Sequence, residues 1–392
     1  MRIGIAKPDY GITGGFEVVL SRIEHELTAR GHDVSWLTVD VPSLGRRPFG
    51  VDVPGDVWEA CPEFFSYMAI VEPFRQIDAG AVDVVISTQP PSFFVDHPRH
   101  LALFYHHRRV FYDLSDVFVA AGFVEREVHA AAQRHVHAID GAALARVTWF
   151  LAASEAVRER LRLFNGLTGN VGVYQAGIGL PAEAAGPGEV FEDPLCVSRH
   201  EFPKRTELFV HALKLLGTKG AMVGTGGRLP WVQTVDVALS RRGTDLDGID
   251  EHELWLCRPG AVNPEAAATP SPVRYLEHVP AADLAALYRS ALCVVAPAYL
   301  EDYGLTAIEG MSFGKPVIVC KDGGGLTEFV EDGVTGFVVE PTGRAIADAI
   351  RILTDDPGLA RRLGRNAFEA SRQYTWERAT EQLLAGLAEI TG

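Results

Sequence analysis

Residues Ala296-Pro-Ala-Tyr-Leu-Glu-Asp-Tyr-Gly-Leu-Thr-Ala-Ile-Glu-Gly-Met-Ser-Phe-Gly-Lys-Pro-Val-Ile-Val-Cys320, continued by Lys321-Asp-Gly-Gly-Gly325, decide how this chain is read. The apolar run Ala291 to Ala296 predicts a buried strand, and Pro297 to Gly304 a loop. Leu305 to Phe313 then predicts a short helix and Pro316 to Cys320 a second buried strand, a strand, loop, helix, strand unit of an α/β domain. Gly304 lets the loop enter the helix with unusual backbone angles, so the first helical N–H groups, from Leu305 and Thr306, point at an anion. Two carboxylates frame that helix start, Glu301 in the loop and Glu309 in the helix body. A buried helix seldom carries a Glu without a partner, so Glu309 is expected to accept hydrogen bonds from a ligand hydroxyl.

Working outward, 392 residues are enough for two domains with a core each, and 47% hydrophobic with 22% charged residues is ordinary for a globular protein. A formal net charge of −15 argues against a nucleic-acid partner, which needs clustered Lys and Arg to neutralise phosphates. The cysteines, Cys61, Cys196, Cys257, Cys293 and Cys320, are scattered and odd in number, against a disulfide framework or a zinc site. The opening Met1-Arg-Ile-Gly-Ile-Ala6 is too short an apolar run for a signal peptide, and nothing reaches the length of a membrane span. A cytoplasmic protein without an integral membrane segment is the expectation, with peripheral membrane contact left open.

The first half opens as a βαβ unit: strand Ile3 to Ala6, loop Gly11-Ile-Thr-Gly-Gly15, helix Glu17 to Arg30, strand His32 to Val39. A glycine loop at the carboxyl end of a first strand lies where doubly wound sheets bind ligands, although its spacing is not the dinucleotide fingerprint. Residues 41 to 75 are interrupted by five prolines and carry Trp58, Phe64, Phe65, Tyr67 and Phe74; they are a candidate specificity loop, or else ordinary core. A strand Leu101 to Tyr105 leads into His106-His107-Arg108-Arg109, whose charges would be costly to bury unpaired, so a site or a solvated loop is expected there. After strand Val147 to Ala152, an N-cap at Ser154 and a helix to Phe164, the Pro-, Gly- and acid-rich stretch Pro181 to Asp193 reads as a linker.

The second half repeats the plan. Strand Leu195 to Arg199, basic loop His200 to Arg205 and helix Thr206 to Leu216 set cations beside a helix N-terminus, a place suited to diphosphate. Strand and glycine turn Met222 to Gly227 follow, then an acidic run Asp245 to Glu253 read as surface. Val273 to His278 reads as a strand, Pro280 to Ser290 as a helix, and Trp376 to Glu389 as an amphipathic terminal helix.

Glu301, seven residues, Glu309, with Gly304-Leu305 between and Gly323 to Gly325 beyond, resembles the signature of retaining glycosyltransferase family 4, which has the GT-B fold. The resemblance extends over nearly the whole chain. It implies two doubly wound Rossmann-like α/β domains facing a central cleft: residues 1–185 on the acceptor side, joined by a returning helix 371–392, and residues 190–370 holding the donor. It implies transfer of a sugar from a nucleotide diphosphate sugar to an acceptor hydroxyl, on a small metabolite, an antibiotic or a glycan, with retention and without metal or cofactor. Arg199 and Lys204 match the family's phosphate-binding pair, and Glu309 its ribose ligand. Glu301 with the amides of Gly304, Leu305, Thr306 and Gly323 to Gly325 is implied to hold sugar and phosphates. Gly14, Gly15 and Gly226 match its glycine loops, and His278 and Val279 lie where the base is held. His106 and Arg109 fall on a His and an Arg that precede Tyr112-Asp113-Leu114, though His107 and Arg108 depart from the pattern and leave open which histidine is active. The same fold hosts phosphorylases and sugar-nucleotide epimerases, and a non-catalytic sugar-binding protein is the alternative of a different class. The sequence names neither base, sugar nor acceptor.

Overall fold

A computed structural model describes residues 1–11, 14–180, 191–241, 246, 248–256 and 271–392. The chain divides into two compact units, Met1–Gly177 with Trp376–Gly392, and Ile178–Thr375. Most of the expected linker, residues 181–190, lies outside the described residues, as do Ile12, Thr13 and Cys257.

The first unit is built on strands β1 (Arg2–Asp9), β2 (Asp33–Asp40), β3 (Val84–Ser87), β4 (His100–Phe104), β5 (Trp149–Ala152) and β6 (Val171–Val173), hydrogen-bonded in the order β2-β1-β3-β4-β5-β6. Every pairing is parallel. Ile3, Ile5, Val84 to Ile86 and Leu101 to Phe104 are buried, as an apolar run covered on both faces requires. The order turns back between β1 and β3, which opens a crevice at their carboxyl ends.

Residues 41 to 75 are more regular than their prolines suggest, since helices Gly55–Ala60 and Pro62–Gln76 occupy much of the stretch. Pro62 sits at the first helical position, where its missing N–H is not needed. Tyr67, Val71 and Phe74, at i, i+4 and i+7, form a buried stripe. Tyr67 and Phe74 are core, the second of the two readings that the sequence left open for them. A helix that the sequence reading did not mark, Arg126–Leu144, starts where the Glu125 side chain accepts from the amides of Glu127 (2.9 Å) and Val128 (3.0 Å). The terminal helix Trp376–Thr391 belongs to this unit: Gly386 lies so close to Leu151 that a Cβ would fall 2.9 Å from its Cδ1, and Gln382 accepts from the Gln175 amide at 2.8 Å.

The second unit holds strands β7 (Leu195–Val197), β8 (Gly220–Val223), β9 (Val273–Leu276), β10 (Val294–Ala296), β11 (Val317–Cys320) and β12 (Gly336–Val339), in the order β12-β11-β10-β7-β8-β9 and again all parallel. Counted from β7, this is the doubly wound order 3-2-1-4-5-6, whose direction reverses between β7 and β10. Its core combines Phe209, Trp231, Val295, Ile318 and Ile350. The acidic run is not all surface: Glu251 pairs with the buried His211 at 2.5 Å and accepts from the Gly343 amide, so a carboxylate read as solvated ties two helices together.

Candidate functional site

The loops that leave β7 and β10 diverge at the switch point, and Lys204, Glu301 and Gly304 lie on them. Lys204, in a short 3-10 turn, forms an ion pair with Glu301 of the loop after β10. Arg199 is exposed. Gly304, with φ +110°, occupies the cap position of helix Leu305–Ser312, and Thr306 donates from Oγ1 to the Val197 carbonyl at 3.2 Å. Only a residue without Cβ takes that φ without strain. His278 and Val279 follow β9 on the same carboxyl edge of the sheet, beside the glycine turn, where the Gly224 amide donates to Leu276 at 2.8 Å.

Gly226 serves the basic loop through its backbone. A Cβ on Gly226 would lie 2.3 Å from the His200 carbonyl oxygen, and one on Gly224 1.9 Å from that of Ser198. The turn runs beside the basic loop, with Ser198 N donating to Val223 O and His200 N to Thr225 O, both at 2.9 Å. The run Gly323 to Gly325 differs from what the resemblance implied. Gly323 N donates to Cys320 O (2.9 Å) and Gly325 N to Glu301 O (2.8 Å), so these two amides are spent on backbone. A Cβ on Gly324 would meet Glu301 O at 2.6 Å, so the run lets two loops approach closely.

Arg205 is a residue that the sequence reading passed over. It is buried, takes φ +46°, and its guanidinium bonds Asp322 at 2.5 and 2.8 Å, the Pro297 carbonyl at 3.0 Å and the Ala298 carbonyl at 3.2 Å. Its charge centre also lies 5.3 Å from the rings of Trp255 and Tyr299. Trp255 in turn stacks on Phe202 and donates from Nε1 to the Phe202 carbonyl at 2.7 Å. One arginine therefore joins the loops after β7, β10 and β11. The adjacent Lys204-Arg205 was the available signal, but sequence alone does not say which cation turns inward.

Glu309 is half-buried, and Tyr288 donates to its Oε2 at 2.9 Å. Its first partner is therefore a protein hydroxyl, which the sequence reading did not foresee. Burial pushes its carboxyl up to about 7, opposed by that hydrogen bond.

In the first unit, Gly14 donates its amide to Glu17 Oε2 at 2.8 Å and Gly15 opens the helix Gly15–Ala29, at the carboxyl end of β1. The four residues after β4 divide into distinct roles. His107 is fully buried, stacked 4.1 Å from Tyr112 and bonded through Nε2 to Asn165 Oδ1 at 2.7 Å. Burial pushes its pKa down to about 3, so it is a neutral core histidine, contrary to the expectation that this run avoids the core. Arg109 is engaged by Asp113 at 2.7 Å. His106 is half-buried, with Nδ1 2.7 Å from the His107 carbonyl. Arg108 pairs with Glu63 of helix Pro62–Gln76. Beneath them the buried Asp140 accepts from Tyr67 at 2.8 Å and Tyr112 at 2.9 Å. Burial raises its carboxyl to about 7.

Two parallel doubly wound units, each with glycine loops and polar residues at the carboxyl edge of its sheet, agree with the two-domain Rossmann-like plan of the GT-B fold. Residues 265–370 match the family model described as glycosyl transferases group 1. Among curated proteins, a D-inositol 3-phosphate glycosyltransferase of Kribbella flavida is 37% identical over 119 residues, 30% of this chain and 28% of that one. One from Streptomyces avermitilis is 39% identical over 108 residues, covering 27% of this chain and 23% of that protein. The matched stretch thus spans only about a quarter of the length of those relatives. Sucrose-phosphate synthase from Thermosynechococcus elongatus superposes with a TM-score of 0.68 at 21% identity, covering 98% of this chain and 97% of that one. HepE from Anabaena, solved with UDP-glucose, gives 0.65 at 16% identity over 99% of both chains. No helix among the described residues is long and apolar enough to cross a membrane.

Proposed function

We propose that this protein is a retaining glycosyltransferase of family 4 that transfers a hexose from a nucleotide diphosphate sugar to an acceptor hydroxyl in the cytoplasm. The observation that carries the proposal is the Lys204–Glu301 ion pair between the loops that leave β7 and β10, the second of which enters helix Leu305–Ser312 through Gly304, at the switch point of the second sheet. The family match over residues 265–370 and the likeness of part of the chain to the inositol phosphate enzymes support the same reading.

Negative charge grows on the leaving diphosphate as the bond to the anomeric carbon lengthens. Arg199, Lys204 and the amides of Leu305 and Thr306 supply fixed positive potential there, so that metal-independent transfer is the proposed mode. Glu309, braced by Tyr288, accepts from the ribose hydroxyls with its remaining capacity. Gly226 and Val279 border the nucleotide, while Gly14, Gly15 and His106 of the first unit are assigned to the sugar and the acceptor. The acceptor is a small polar molecule or a glycan. In this scheme the leaving phosphate takes the acceptor proton, and no protein base is assigned.

The test uses radiolabelled nucleotide sugars with an acceptor panel, in buffer with and without a chelator. The anomeric configuration of the product is read by NMR. Wild type is expected to transfer label with retention in both buffers, and Lys204→Ala and Glu309→Ala to lose donor binding by calorimetry. Full donor binding by both variants would overturn the site assignment.

A further inference from the structure

With that reading of the site as its basis, we propose that Glu301 competes with the diphosphate for Lys204 and thereby drives the nucleotide product off the enzyme. The two side chains are ion-paired at the carboxyl edge of the sheet, where the phosphates are proposed to bind. They are only 21% and 16% exposed, so water screens the pair less than it would a surface contact. Neither backbone is free to withdraw. Glu301 N donates to Gly323 O at 3.0 Å and its carbonyl accepts from Gly325 N at 2.8 Å, while Pro203, next to Lys204, accepts from Tyr299 N at 2.7 Å. Only side-chain rotation can therefore part the carboxylate from an anion that Lys204 engages.

The consequence follows from the charge balance of transfer. The bond from the anomeric carbon to the phosphate oxygen breaks, a bond to the acceptor oxygen forms, and the leaving phosphate takes the acceptor proton, which it then gives to solvent because its last ionisation lies at about pH 6. The sugar-capped diphosphate carries about two negative charges, and the released diphosphate up to three, less any proton it keeps. Repulsion from Glu301 is thus weakest with the donor bound and strongest with the product bound. As the product leaves, Lys204 returns to its protein partner. Glu301 is here a residue for product release, in addition to any contact with the sugar.

Calorimetry with UDP, GDP and ADP at low salt tests this, the tightest binder being carried through the variants. Glu301→Gln is expected to bind that diphosphate about fivefold or more tightly, with a smaller gain or a loss for the matching nucleotide sugar. The gain should shrink in high salt and be clearly smaller in the Lys204→Met background, because the competition for Lys204 is then absent and only direct repulsion between Glu301 and the diphosphate remains. Glu301→Ala is the second variant should the amide disturb folding, and thermal melting verifies that each protein is folded. Unchanged or weaker diphosphate binding by the folded Glu301 variants overturns the inference while leaving the proposed function standing. No diphosphate binding by wild type overturns both.

Discussion

Gly226→Ala tests the claim that the glycine turn exists for backbone approach. An ideal Cβ there falls 2.3 Å from His200 O and 2.7 Å from His200 N and C, and these are main-chain atoms that no rotamer change can move. Gly226 also has φ +156°, at the margin of what L residues adopt, which adds about 1–3 kcal/mol of strain. To relieve the overlap the turn must part from the basic loop. That loses the His200 N to Thr225 O bond of 2.9 Å and the Arg228 N to His200 O bond of 2.8 Å, at about 1 kcal/mol each. The sum is a destabilisation of about 3–5 kcal/mol, measured as a lower urea midpoint in the absence of any ligand. Because Arg199 and Lys204 stand on the loop that is displaced, affinity for the best-binding nucleoside diphosphate should also fall about tenfold or more. A glycine needed only for the approach of a phosphate would leave the free protein as stable as wild type. A midpoint within about 1 kcal/mol of wild type, on any matched analysis, would refute the reasoning.

Three further outcomes are expected. His107→Ala should destabilise the protein by about 2–4 kcal/mol, since it empties a packed aromatic site, whereas His106→Ala should leave the melting temperature nearly unchanged and lower transfer. A histidine pair with the opposite behaviour would reverse the assignment. Arg205→Met should cost about 3 kcal/mol or more in chemical denaturation and weaken diphosphate binding, because it leaves Asp322 and two carbonyls without their donor; a stable variant would mean that this arginine is not the tie between the loops. Asp140 and Glu309 both have carboxyls raised to about 7 in the folded protein, so the folded state holds their protons more tightly than the unfolded chain. Their contribution to stability is full below the ordinary carboxylate range and is lost as pH rises through about 7, so the melting temperature should fall over that window and the slope should flatten in Asp140→Asn and Glu309→Gln.

Much of the fold was legible from local pattern. The short apolar runs bounded by Gly and Pro became strands, Ser154 capped its helix by accepting from Val157 N at 3.1 Å, and Gly304 took the left-handed angle that the loop demanded. Residues 62 to 76 were obscured because prolines at a helix start and inside a helix read the same as prolines in a loop until packing is known. Glu251 was misread because an acidic run looks solvated whether or not one member turns inward to a histidine.

The sequence by itself determined the repeated strand, loop and helix plan, the glycine positions, and the spacing of Glu301 and Glu309, since these depend on periodicity and on what each residue type permits locally. Only the tertiary structure decided which of several adjacent, similar residues points where. Lys204 lies at the sheet edge with Glu301 while Arg205 turns into the loops, and His106 stays half-exposed while His107 fills the core. The Gly323 and Gly325 amides turn to protein carbonyls. Burial, pairing and orientation are set by partners far away in the chain, such as Asn165 for His107, Asp322 for Arg205 and Glu301 for Lys204, and no local pattern carries that information.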